Sequence, residues 1–150
     1  MLFRSARDDR AIDIARDWIK YGQPPRARVA AIGTLARFAS LKENRRVEIL
    51  DWLTPLCDDR EFMVRMRISS ALAEIGDTRA LPALHRLASR DLDGRVQRHA
   101  NDAITSINEG RTRVEEGQRL REDINKLRDD NKKLQMRLEK LEALSRDKQS

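Results

Sequence analysis

The sequence predicts an all-α protein: a short α-solenoid of three helix pairs over residues 6–109, followed by a coiled-coil helix over residues 113–147. Three observations lead there. Arginine, leucine and alanine, all good helix formers, dominate, and no alternating β-branched run or Asn-Gly turn suggests a strand. Apolar residues recur at helical spacing in six segments whose pattern repeats along the chain. Beyond Gly110 the pattern changes to leucines every seven residues in a highly charged background.

The segments run in order. "RAIDIARDWIKYG" sets Ile12, Ala15, Trp18 and Ile19 on one stripe and stops at Gly22. Pro24 and Pro25 break the chain before "RARVAAIGTLARFA". "RRVEILDWLTPLC" carries Leu50, Leu53 and Leu56 in step and is expected to be helical to Cys57. "FMVRMRISSALAEIG" ends at Gly76, the expected C-terminal cap. "TRALPALHRLAS" holds Pro82 near a first turn, where proline is tolerated. "GRVQRHANDAITSI" closes the series, and Gly110 is expected to break the helix before the tail.

These are repeats of one unit. Val64, Ile68, Ala71, Leu72 and Ile75 fall on Val96, Ala100, Ala103, Ile104 and Ile107 at a shift of 32. Arg28, Ala31, Leu35 and Phe38 fall on Arg65, Ile68, Leu72 and Ile75 at a shift of 37. Leu50, Leu53 and Leu56 fall on Leu81, Leu84 and Leu87, and Asp17-Trp18-Ile19 is similar to Asp51-Trp52-Leu53. A helix pair recurring at this period cannot cover its own apolar stripe, so stacked pairs bury one continuous core. Small residues such as Ala30, Ala31, Ser69, Ser70 and Ala71 allow close helix approach.

In the tail, Leu120, Leu127, Leu134 and Leu141 take the d positions and Ile124, Asn131 and Leu138 the a positions of a heptad. One asparagine at a favours a two-stranded, in-register partner, because a buried amide needs a matching amide. In a parallel pair Asp123 faces Arg128 and Arg137 faces Glu142, while Asp130 with Gln135 is neutral. Such exposed pairs add only ~0.5 kcal/mol each and steer orientation more than stability. Gly117, at the preceding a position, weakens the start. The expectation is a homodimer through this tail.

Charge and chemistry narrow the function classes. The formal net charge is +6, but acids lie among the bases throughout, without the clustering of a phosphate-binding face. Nucleic acid is therefore not the expected partner; a protein or peptide is. No segment approaches the ~20 apolar residues of a membrane span, and the N-terminus lacks a secretory signal. The single cysteine, Cys57, forms no internal disulfide, so a cytoplasmic location is expected. His85 and His99 lack the converging ligands of a zinc site, and Cys57 is expected to be a packed thiol. No phosphate-binding glycine loop or nucleophile elbow is present. No catalytic residue, metal ligand or cofactor is expected in this chain.

Arg28, Arg65 and Arg95 open the second helix of each pair. One reading makes them a basic ladder on the concave face, gripping acidic peptide or phosphate. The other pairs each with an acid or a carbonyl of the preceding turn, and the turn acids Asp58, Asp59, Asp91 and Asp93 favour it. Trp18 and Trp52 are read as core anchors at equivalent places rather than as markers of a groove.

"DREFMVRMRISSALAEIGDTRALPALHRLASRDLDGRV" resembles a HEAT-type repeat of the subclass opening with Val-Arg and turning through Ile-Gly-Asp-x-Arg-Ala-Leu-Pro-Ala-Leu. Val64, Arg65, Ala71, Leu72 and Ile75 through Asp77 carry the first part; Arg79 through Leu84 carry the second. The resemblance implies an α-solenoid and many functions. The order of helical repeats, then "SRDLDGRVQRHANDAITSINEG", then a leucine-spaced tail is also similar to the C-terminal region of some bacterial zinc aminopeptidases. That likeness implies an accessory domain framing a chamber, with catalysis upstream of Met1. The family's H-E-x-x-H and G-x-M-E-N motifs are absent here, so none of its catalytic residues carries over. The three expectations are thus a non-catalytic scaffold with a dimerising tail, an aminopeptidase accessory domain, and a DNA-binding HEAT module of the alkylation-repair kind. Charge interleaving argues against the last.

Overall fold

The computed structural model describes the backbone of residues 2–149 and the side chains of residues 7–149. Among the described residues there are six α-helices and no strand. They are α1 (Leu2–Trp18), α2 (Pro25–Leu41), α3 (Glu43–Leu53), α4 (Phe62–Ile75), α5 (Leu81–Arg90) and α6 (Gly94–Gln149). The chain divides into two compact units, Met1–Gly110 and Arg111–Ser150.

The first unit holds three helix pairs, α1/α2, α3/α4 and α5 with the opening of α6. Punctuation residues set most boundaries. Pro25 stands in the first turn of α2, where its missing amide proton costs no helical hydrogen bond. Gly76 closes α4 in the left-handed region at φ 70°, its amide donating to Leu72 O at 3.0 Å. Pro82 stands in the first turn of α5.

Three boundaries differ from expectation. Helix α1 ends at Trp18, and turns carry the chain through Gly22, where the helix was expected to stop. Leu53 ends α3, and Thr54–Asp58 continue as a 3-10 turn rather than an α-helix. Pro55, which has no amide hydrogen to give, lies in the first turn of that segment. Gly110 breaks nothing: it lies inside α6, with a helical backbone. A glycine inside a helix costs ~1 kcal/mol against alanine, which neighbouring good helix formers absorb.

The aligned repeat positions are the core. Val64, Ile68, Ala71, Leu72 and Ile75 are buried, and so are Val96, Ala100, Ala103, Ile104 and Ile107. Ala31 and Leu35 of α2 join them, as do Leu53, Leu84 and Leu87 from the first helices of the later pairs. Helix α2 packs against α1, α3 and α4. Ser40 on α2 donates across the junction to Glu74 O of α4 at 3.2 Å. The absent side chain of Gly33 leaves room for Arg67 of α4, whose guanidinium would lie 2.7 Å from a Cβ there.

Trp18 departs from expectation. It is 43% exposed, whereas Trp52 at the equivalent place packs against the core. Trp52 also has Arg16 of the first pair over its ring, at 4.7 Å.

In the second unit, residues 111–149 are helical and none is buried. No helix among the described residues is long and apolar enough to cross a membrane.

Candidate functional site

The three expected cations do not form one ladder. Arg28 is 1% exposed. Its Nε donates to Ile19 O at 3.0 Å and its Nη1 to Asp59 Oδ1 at 3.0 Å, while Nη2 donates to the other oxygen of Asp59. Asp59 lies in the turn before α4, so this pair joins the first helix pair to the second. Arg65 repeats the arrangement one junction on. Its Nε donates to Asp91 Oδ2 at 2.5 Å, and its Nη1 donates to the carbonyls of Asp59 and Arg60, both at 2.9 Å. Arg28 and Arg65 are thus held as struts between pairs, and neither guanidinium is free to grip a ligand. Pairing with turn acids is the alternative that the sequence favoured over a concave-face ladder. The physical reason is that a buried guanidinium is stable only with its charge and donors matched within the fold.

Arg95 belongs to another position. Its side chain is exposed, held by Asp93 through Nε at 3.2 Å and Nη2 at 2.9 Å, and it lies over the Phe62 ring at 4.5 Å. The residue that matches Arg65 at a shift of 32 is Gln97. Gln97 Nε2 donates to Asp91 O at 2.6 Å, as Arg65 does to Asp59 O, but it carries no charge to the next turn. At the other end, the place six residues before Arg28 is Gly22, where the later pairs have Asp59 and Asp91. The strut series therefore has a donor in the first pair, both roles in the second, and an acceptor in the third. The internal alignment held this signal, since it set Val64 on Val96 and so Arg65 on Gln97.

Burial acts to raise the carboxyl of Asp59, but hydrogen bonds from Arg28 and the Glu61 amide, with the charges of Arg28 and Arg65, hold it below the usual carboxylate range. The same pairing raises Arg28 against the opposing effect of burial. Asp59 and Asp91 each also accept an amide two residues on, from Glu61 and Asp93, at 2.9 Å.

Each strut lines a cleft. Arg28 and Asp59 share one of about 350 Å³ with Arg16, Tyr21, Trp52 and Pro55. Arg65 and Asp91 share one of about 290 Å³ with Cys57, Arg86, Arg90 and Leu92. A third groove, about 450 Å³, runs between α4 and α6 over Ser70, Ala73, His99 and Ser106. These concavities mix apolar and charged walls.

Cys57 is 2% exposed, and burial pushes its thiol up to about 12, so it is a packed and unreactive group. His85 and His99 are both exposed. Among the described residues no group of three or more His, Cys, Asp or Glu side chains is placed to hold a metal ion.

The tail presents the heptad side chains outward. Leu120, Leu127, Leu134, Leu138 and Leu141 are 58–64% exposed and Ile124 is 40% exposed. Asn131 is exposed between them.

A family model described as HEAT repeats matches residues 12–105, well over half of the chain. No curated protein matches the chain, so the resemblance to the C-terminal region of zinc aminopeptidases has no relative behind it.

Proposed function

The chain belongs to the HEAT repeat family, and from that premise we propose that it is a non-catalytic helical-repeat scaffold that binds a protein or peptide and dimerises through its tail. Stacked helix pairs offer extended surfaces for partners and bury the rest of their apolar area in one core. The two junction clefts and the α4–α6 groove are the recesses such a partner would meet. Of the three arginines first considered, Arg95 is the one with an exposed side chain.

The observation that carries the dimer is the tail. Six apolar a and d side chains stand exposed on one helix, in a unit with no buried residue among those described. A single helix so charged gains little from folding alone, whereas a paired one buries the whole seam.

Light scattering on the full chain tests it. The expected mass is twice 17.4 kDa, falling to 17.4 kDa when Leu127 and Leu134 are both changed to glutamine. The solenoid's own melting should be unchanged. A mass insensitive to the double change would remove the zipper, and 17.4 kDa for the parent chain would remove the dimer.

A further inference from the structure

We propose that the tail's partner is a second copy of this chain lying parallel and in register, with Asn131 meeting the partner's Asn131. The inference rests on the dimer reading above and adds its orientation. In a parallel two-stranded coil, a faces a and d faces d; in an antiparallel one, a faces d. All four d residues here are leucines. Any antiparallel arrangement that keeps Asn131 inside the zipper therefore sets its amide against a leucine, with its hydrogen bonds unmade. The parallel arrangement in register gives each amide a partner amide.

The flanking charges agree. Each g residue of a parallel pair faces the e residue five places on in the partner. Glu116 then faces the partner's Arg121, Asp123 faces the partner's Arg128, and Arg137 faces the partner's Glu142. The fourth pair, Asp130 with the partner's Gln135, is neutral, so no like charges meet. A slip by one heptad parts the two asparagines and sets Asp130 against the partner's Glu142. Ile124 at a with leucine at d also favours two strands over three. All these charged side chains are exposed in the single helix and available for pairing.

Disulfide trapping in the full chain tests the orientation. Ser145 is exposed and takes the next a position after Leu138. The native Cys57 is buried, so the parent chain should give no cross-link with oxidised glutathione. Ser145→Cys chains are expected to link to one another nearly completely. An equimolar mixture of Ser145→Cys with tagged Leu120→Cys should give less than a tenth of its product as the mixed species. An antiparallel pair with Asn131 against Leu134 instead brings position 145 to position 120. A mixed product in excess, with the mass still that of a dimer, would overturn the parallel assignment. Monomer mass before oxidation would instead overturn the dimer reading itself. Placing Asn131→Leu in both chains is expected to raise the mixed fraction at least tenfold; an unchanged fraction would overturn the role given to Asn131.

Discussion

Arg28 and Asp59, 31 residues apart in sequence, meet as a two-pronged ion pair across the first junction of the solenoid, with side-chain exposures of 2% and 8%. The same guanidinium holds Ile19 O at the end of the first helix. The backbone carbonyl of Asp59 in turn takes a hydrogen bond from Arg65, the next strut. One aspartate thus ties three helix pairs into a single chain of contacts, since Arg65 goes on to Asp91.

Removing Asp59 should be severe. Asp59→Ala leaves a buried guanidinium unpaired, an effect of about 3–5 kcal/mol. Asp91→Ala should cost less, about 1.5–3 kcal/mol, because the Arg65 side chain is 20% exposed and keeps two carbonyl partners. Urea unfolding followed by circular dichroism measures both. Equal losses would show that burial does not grade the two struts.

Stability should fall in acid. The folded-state pKa of Asp59 is depressed, so its contribution is complete above the unfolded carboxylate value of ~3.9 and disappears as pH falls through the lower folded value. The expected loss therefore lies below about pH 4. Asp59→Asn should be less stable than the parent at pH 7, with a shallower decline between pH 4 and 2. Parallel declines in the two chains would assign acid sensitivity to other groups.

The two tryptophans should respond differently to truncation. Trp18→Ala removes a side chain that is 43% exposed and should shift stability by less than ~1 kcal/mol. Trp52→Ala removes packing against the core and the Arg16 contact, for about 2 kcal/mol. Thermal denaturation of each variant separates them, and a larger loss at Trp18 would contradict its exposed position.

Two glycines should give opposite signs. Gly76 has φ 70°, so Gly76→Ala forces a Cβ into the left-handed region at about 1–2 kcal/mol. Gly110 lies within a helix with nothing near a Cβ, so Gly110→Ala should stabilise by ~0.5–1 kcal/mol. Helical signal and melting temperature report both, and a destabilising Gly110→Ala would contradict the open surroundings of this helical glycine.

Most of the fold was legible because it rests on local rules. Apolar spacing placed the core residues from Ala31 to Ile107, and Pro25, Gly76 and Pro82 fixed helix ends through backbone geometry that needs no distant partner. Reading failed where local rules compete. Pro55 turned the end of the third helix into a 3-10 segment, and Gly110 gave way to the helix formers around it. The candidate site was legible in part. The heptad of the tail is a pattern along one helix, and the pairing of Arg95 with the turn acid Asp93 is a local contact two residues apart, whereas the partners of Arg28 and Arg65 lie across a junction.

The sequence by itself therefore determined the helices, their repeat and the apolar seam of the tail, since each follows from 3.6-residue geometry and the chemistry of adjacent residues. Only the tertiary structure decided which charges are spent. Arg28 and Arg65 are struts, Gln97 stands where a third would be, and Arg95 keeps an exposed side chain. That outcome depends on the stacking offset between helix pairs, which sets a guanidinium within reach of a carboxylate about thirty residues away and leaves Arg95 to pair locally with Asp93.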